Sequence, residues 1–304
     1  MLKEVEYYSE MIPTYISILA FATIFMEWGI LGLLKKIKSH KEGGVSVLSA
    51  IITFFPLFVI NSFITFTVMF WLYQYRVFDI GFEWYYWVLA VIAYDFMCYF
   101  IHFISHKVRI LWCIHSVHHS SKEMKASAGA RVSIFEWFLS PHLMLWLPLC
   151  GFHPFMIVIV EGLSQAYGIF THMHQKSLPS IRFATVLEYL FISPSLHLVH
   201  HAKNDIYIDT NFGQTFSFWD RLFKTYQSEI AVEKPILGLV KEMNSENLLQ
   251  TQTSEFVALW RDLKSTNNII YQIKYLLMPP GWSHTDVSQT AHYVRKKALL
   301  NRAE

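Results

Sequence analysis

The sequence predicts an all-α integral membrane protein: about four transmembrane helices, two in succession followed by a third and by a re-entrant or spanning hairpin, beneath a helical cytosolic cap. Three observations carry that prediction. Apolar residues make up 53% of the 304 and aromatic residues 17%, with a positive mean hydropathy, which is high for a water-soluble fold. Three stretches, residues 11–34, 45–73 and 84–104, each supply the roughly 20 mostly apolar residues needed to cross a hydrocarbon core of about 30 Å. Charge is also asymmetric about the first stretch, with Lys35, Lys36, Lys38 and Lys41 after it and Glu4, Glu6 and Glu10 before it. That bias places the lysine loop in the cytoplasm and the N-terminus outside. Core helices of a large soluble protein are the alternative, and long apolar runs without charge weigh against it.

The first run is not expected to be a cleavable leader, because acids precede it and no small-residue cleavage pattern follows. It contains Glu27, an ionisable group about two turns from the cytoplasmic end, which either snorkels to the interface or serves function. In the second run Pro56 and Asn61 read as a kink and a helix contact, tolerable where neighbouring helices re-satisfy the backbone. The third run ends on the cytoplasmic side. Residues 134–149, interrupted by Pro141 and Pro148, turn at Cys150-Gly151-Phe152-His153-Pro154 and return through 155–170, so the chain comes back to the side it left.

Between these parts, Ser120 to Arg131 is polar and carries Lys122, Lys125 and Arg131, as expected of a membrane-surface segment suited to phosphate head groups. A second polar segment from Lys176 to Arg182 contains Pro179. Beyond Ala231, residues 247–263 and 268–277 place apolar side chains at helical spacing and end at Pro279-Pro280-Gly281. They read as amphipathic helices packed on the cytosolic domain, with membrane-surface binding as the alternative. Cys98, Cys113 and Cys150 are odd in number and lack CxxC spacing, so they read as buried small side chains in a reducing setting. A net charge of +2 gives no sign of nucleic-acid binding.

Eight of the fifteen histidines fall in three blocks: His102 and His106 as HxxxH, His115, His118 and His119 as HxxHH, and His197, His200 and His201 as HxxHH again. Residues three and four apart share a helix face, with Cβ atoms about 5–6 Å apart, so each block can aim its imidazoles at one point. One block holds too few ligands for two metals. Three blocks folded together give roughly four nitrogens to each of two ions, and imidazole suits iron, zinc, copper or nickel. His172, where the returning helix descends towards the blocks, is a ninth ligand in this reading, and His174 a weaker one. His40, His142, His153, His284 and His292 are assigned to no site.

Carboxylates should surround such a centre, because two divalent ions on neutral imidazoles leave a charge near +4. Asp95, seven residues before His102, lies on the same helix face and is placed to accept from a metal-bound imidazole, the alternative being a helix-packing aspartate paired elsewhere. Asp205, Asp209, Asn211 and Asp220, with Glu188, are the other candidates around the ligands.

These residues carry a resemblance. Tyr94-Asp95-Phe96, His102xxxHis106, eight residues, His115xxHis118-His119-Ser120-Ser121, Phe170-Thr171-His172, Ser193-Pro194-Ser195, His197xxHis200-His201, Asp209xAsn211-Phe212-Gly213 and Trp219-Asp220-Arg221 together resemble the sterol desaturase/fatty acid hydroxylase superfamily of membrane di-iron oxygenases. Met278-Pro279-Pro280-Gly281-Trp282 is similar to its alkylglycerol-monooxygenase-like branch. The short gap between the first two blocks separates this pattern from the acyl-chain desaturases. Where family members often carry asparagine two residues after the lone histidine, this sequence has His174.

The resemblance implies a four-helix stalk under a cytosolic cap with two irons, zinc being a possible substitute in purified protein. It implies oxygen-dependent attack on a C–H bond of a lipid rising from the bilayer: a sterol, a fatty acyl chain or an alkylglycerol ether lipid, hydroxylated or desaturated. The chain has no GxGxxG, no CxxCH and no iron–sulfur cysteine set, so electrons must come from elsewhere. A cytochrome b5-like protein, a ferredoxin with its reductase, or tetrahydrobiopterin would supply them. The membrane would be a bacterial inner membrane or endoplasmic reticulum. A metal-dependent membrane hydrolase is disfavoured for want of HExxH, and a metal transporter because the histidines collect at one membrane edge rather than along a path. The expected organisation is residues 1–105 as N-terminal membrane helices, 106–230 as the histidine region with its 134–171 hairpin, and 231–304 as a cytosolic helical tail, one catalytic unit in all.

Overall fold

The computed structural model describes residues 2–139, 145–174, 185–230 and 232–303. Among them the regular structure is helical, and β-pairing is confined to three isolated bridges. Four helices among the described residues are long and apolar enough to cross a membrane. The protein is therefore an all-α integral membrane protein. The first span, α1 (Leu2–Leu33), starts well before the predicted run, with Glu4 in its first turn, where the helix dipole favours a carboxylate.

The second span is α2 (His40–Phe63), begun by Ser39, whose hydroxyl accepts from the Glu42 N–H at 3.1 Å. Pro56 does not end it; a π-helical turn at Ile64–Met69 and α3 (Phe70–Tyr73) carry the run on to Tyr73. The third span is α4 (Trp84–Lys107). It breaks at Val108, whose backbone is extended, and α5 (Arg109–His119) sets off from there.

The polar segment after α5 is not a membrane-surface segment. Ser120, Ser121, Glu123, Lys125 and Arg131 are all buried, and α6 (Ala126–Gly129) is packed against α1, α2 and the fourth span. The cause is internal satisfaction. Arg131, fully buried, donates to the hydroxyls of Ser120 (2.8 Å), Ser46 (3.3 Å) and Thr251 (3.0 Å) and to the Ser245 carbonyl. Glu42 accepts from Ser121 (2.6 Å), the Lys122 N–H (3.0 Å) and Ser245 (2.7 Å). Such a network is tolerable in the interior because each charge has several partners.

Among its described residues the outgoing arm of the hairpin is not a regular helix. After a 3-10 turn at Glu136–Phe138 it reaches α7 (Leu147–Cys150) at the end of the spans opposite the histidines, where the Val77 N–H donates to the Leu149 carbonyl at 2.8 Å. Gly151 turns the chain there at φ +106, so close to Phe78 that a Cβ would lie 2.1 Å from its carbonyl oxygen. Irregular backbone at that depth must be covered by protein. At the start of the arm Gln252, from the cap, gives such cover, accepting from the Ile134 N–H at 2.9 Å and donating to the Val132 carbonyl at 3.0 Å. Pro141 and His142 lie outside the described residues, as does Lys176 to Arg182. The fourth span, α8 (Pro154–Thr171), then returns, its N-terminus capped by His153. The predicted return to the starting side is what the chain does.

The remaining helices form the cap: α9 (Thr185–Leu190), α10 (Pro194–His200), α11 (Phe218–Leu222), α12 (Leu248–Lys264), α13 (Ile269–Leu277) and α14 (Ala291–Ala303). Asn247 and Asn268 cap α12 and α13, close to the predicted starts. The last helix was not foreseen, because Arg295, Lys296 and Lys297 interrupt its apolar pattern. Arg295 fastens it by donating to the Ile206 carbonyl at 3.0 Å and to Gln227 at 3.0 Å.

Candidate metal centre

Four helix ends bring nine imidazoles together. His102 and His106 stand one turn apart at the end of α4; His115, His118 and His119 close α5; His172 caps α8; His197 and His200 lie on α10, with His201 as its cap. They divide into two groups whose ligand atoms all lie within 4.8 Å of one another: His102, His106, His115, His119 and His200, and His118, His172, His197 and His201. His119 and His201 stack at 4.4 Å between ring centroids and join the groups. His174 belongs to neither; its side chain lines a separate surface cleft with Lys36, Lys38, Lys122 and Lys203.

The rings point inward for an identifiable reason. The Nδ1 atoms of His102, His172 and His200 face the carbonyl oxygens of Phe212 (2.9 Å), Gly168 (2.6 Å) and Thr210 (2.7 Å), and that of His106 faces Asp209 at 3.2 Å. A proton on Nδ1 satisfies each oxygen and leaves the Nε2 lone pair free. The Nε2 atoms then converge. Those of His106, His115 and His200 each lie 3.2 Å from that of His119, and that of His172 lies 3.0 Å from His118, 3.2 Å from His201 and 2.9 Å from His197.

These distances fit metal ligation. Donors about 2.1 Å from one ion and at right angles stand about 3.0 Å apart. The Nε2 of His102 is buried without a hydrogen-bond partner among the described residues, as a nitrogen meant for an ion would be. Burial, and next the neighbouring imidazoles, hold His115, His118, His119, His197, His200 and His201 well below the usual imidazole range. Burial lowers His172 to about 4. Neutral rings are the form that binds metal.

Of the polar residues expected around the ligands, one touches a histidine. Asp209 joins the His106 Nδ1 and, through its other oxygen, the Lys107 ammonium. Burial works to raise its carboxyl, but the His106 bond and the Lys107 charge outweigh it and hold the carboxyl below its usual value. Asp95 does not accept from His102. It takes the N–H groups of Thr215 (2.8 Å) and Phe216 (3.2 Å) and the Trp219 indole (3.1 Å), because the loop after the third block offers unpaired donors closer to it.

Asp220 works one step further out, accepting from Phe212 N–H at 2.7 Å and Gly213 N–H at 2.9 Å, and so fixes the carbonyl that orients His102. Burial raises its carboxyl to about 6 despite these bonds. Asn211 ties the same loop to the Leu196 and Gln227 carbonyls at 3.0 and 2.7 Å. Asp205 is exposed on the cavity wall, and Glu188 bonds Ser193 at 2.7 Å.

Sequence reasoning missed the backbone carbonyls, which have no sequence signature, and left Glu27 between snorkelling and function. Glu27 does not snorkel: it is 2% exposed and accepts from the backbone N–H groups of Ala126 and His174, the latter at 2.7 Å. Its isolation in an apolar run was the available signal. Also unforeseen is a cavity of about 640 Å³ reaching from His106, His119, His200 and His201 to the tail, where Tyr275, Pro279, Pro280 and Trp282 help wall it.

Residues 87–225 match the family model described as fatty acid hydroxylase. Over 199 residues, or 64% of this chain, the sequence is 30% identical to alkylglycerol monooxygenase of Xenopus tropicalis and 28% identical to that of Homo sapiens, covering 42% of each. It is 25% identical over 213 residues to an ornithine lipid hydroxylase of Rhizobium tropici, covering 69% of this chain and 61% of that protein. The chain thus spans about two fifths of the length of the alkylglycerol monooxygenases it matches. No solved structure matches it significantly. With the motif spacing, the paired histidine groups and the spans beneath them, the match over residues 87–225 and these relatives fit the sterol desaturase/fatty acid hydroxylase superfamily.

Proposed function

We propose that the chain is a membrane-embedded, oxygen-dependent lipid monooxygenase with two irons. His102, His106, His115, His119 and His200 would hold one, and His118, His172, His197 and His201 the other. The observation that carries the reading is the convergence of nine imidazoles into two groups at one end of the membrane helices. When bound, the irons would supply oxygen activation and the power to attack an unactivated C–H bond. The protein's part is geometric: carbonyls and Asp209 orient the rings, and burial keeps them neutral.

The relatives' names, alkylglycerol monooxygenase and ornithine lipid hydroxylase, favour hydroxylation over desaturation and a polar-headed membrane lipid as substrate. The cavity suits the polar end of such a lipid, its wall carrying Trp112, Ile208 and Leu239 beside Arg109, Asp205 and Glu255. Because the tail helps wall this cavity, residues 1–105, 106–230 and 231–304 are read as one catalytic unit. The lysine bias supports a site on the cytoplasmic face. Electrons would come from a cytochrome b5-like protein, a ferredoxin with its reductase, or tetrahydrobiopterin. A hydrolase fits less well, since neither group includes a carboxylate.

The test is metal analysis of purified protein together with lipid mass spectrometry of cells with and without it. Two irons per chain and an oxygen-dependent gain of one oxygen in a lipid, or ether cleavage to an aldehyde, support the reading. One metal or none in folded protein, or a loss of two hydrogens, contradicts it.

A further inference from the structure

We infer that Glu27, on the first membrane helix and outside the family-matching segment, is the positioning residue of the four-histidine group. The inference rests on the metal reading above and adds to it a dependence on α1.

Three of the four ligands, His118, His197 and His201, come from blocks in which histidines share a helix turn. His172 comes alone, from the first position beyond the end of α8, where a helix frays most easily. Yet it is central, its Nε2 lying 2.9–3.2 Å from those of the other three. Its own N–H bonds the Ile169 carbonyl at 3.2 Å and its Nδ1 faces the Gly168 carbonyl at 2.6 Å, both within that last turn, so the turn itself needs a hold from outside α8.

Glu27 gives that hold from two sides. One carboxylate oxygen accepts the N–H of His174, two residues beyond the ligand; the other accepts the N–H of Ala126, which opens α6. The far end of α6 is Gly129, and a Cβ there would stand 3.1 Å from Cγ and Nδ1 of His172. One side chain therefore grips both the segment that leaves the ring-bearing helix end and the short helix on which the ring rests. A carboxylate suits this task because it accepts at both oxygens and bonds N–H groups more strongly than a neutral acceptor. A carboxylate buried in a membrane helix is costly, so its retention there calls for a role of this kind.

The experiment uses full-length wild type, Glu27→Ala, Glu27→Gln and His172→Ala, each titrated with cobalt(II) and with iron, with the ligand-field spectrum, the Mössbauer spectrum and the melting temperature recorded. Wild type should bind two ions. Glu27→Ala should keep one ion and weaken the second at least tenfold, with the spectral change that His172→Ala gives. Glu27→Gln retains one acceptor and should fall between. Two ions with an unchanged spectrum in Glu27→Ala would overturn the inference, as would joint loss of both ions in step with the melt. If Glu27→Ala does not fold, Glu27→Gln decides: selective weakening supports the inference and wild-type behaviour overturns it. Failure of wild type itself to bind two ions would defeat the metal reading instead.

Discussion

His102 is oriented by Phe212, whose carbonyl oxygen lies 2.9 Å from its Nδ1 across 110 positions of sequence. That carbonyl is steady because Asp220 holds the N–H groups of Phe212 and Gly213. Asp220→Ala would leave both buried donors unpaired, at about 1–3 kcal/mol each. The expected result is a lower melting temperature and selective weakening of metal at the five-histidine group, read by calorimetry and metal titration. Gly213→Ala should act on the same loop, since its Cβ would meet the Phe216 carbonyl oxygen at 2.5 Å.

Asp209 deserves a separate variant because it is the carboxylate that bonds a ligand directly. Asp209→Asn keeps an acceptor for His106 but loses the charge that pairs with Lys107. A loss of about 10–100-fold in metal affinity or activity is expected, as for other groups that orient a ligand. Asp209→Ala should cost more, because the residue sits at φ +58, a conformation aspartate and asparagine enter more readily than alanine. Equal behaviour of the two variants in metal titration would argue against this account.

The three apolar runs and the histidine blocks were legible because each rests on a local rule: hydrocarbon thickness for the spans, helical spacing for the ligands. Even His172, which joins the four-histidine group, could be placed by following the chain back across the membrane. What could not be read was which acceptor each ring would find. Asp95 shares a helix face with His102, but the partner that wins it comes from Thr215, 120 residues away. Similarly, Ser120 to Arg131 looks like surface by composition. Apart from the exposed Lys122 it is largely interior, because Glu27 and Glu42, in helices far upstream, supply the acceptors that let polar chain be buried. Local pattern gives the elements, whereas the polar pairing between them depends on tertiary partners.

Two glycines beside the site should respond differently to the same added methyl group. At Gly129 a Cβ would meet the His172 ring at 3.1 Å and Ile169 at 3.2 Å, with the ring held by Gly168 and its three histidine neighbours. Gly129→Ala should therefore displace His172 and weaken the four-histidine group. At Gly168 the obstacle is the Gln214 amide nitrogen at 2.7 Å, the far end of a flexible side chain that can turn away. Gly168→Ala should keep both ions, and metal loss there rather than in Gly129→Ala would reverse the argument.

Acid should destabilise the metal-free protein, and the sign follows from the buried rings. His172 titrates at about 4 in the folded chain against an ordinary value of 6.5, and His115, His118, His119, His197, His200 and His201 are also lowered. Below pH 6.5 the unfolded chain takes up protons that the folded chain does not, so stability is full above that value and falls as pH drops. Each group contributes up to about 1.4 kcal/mol per pH unit over its own interval. The melting temperature of metal-free protein should therefore fall steeply from pH 6.5 towards pH 4, and His172→Ala should make the slope shallower by the share of one proton. A flat melting temperature across that interval would mean that the folded rings take up protons as readily as those of the unfolded chain, and so are not held neutral by burial.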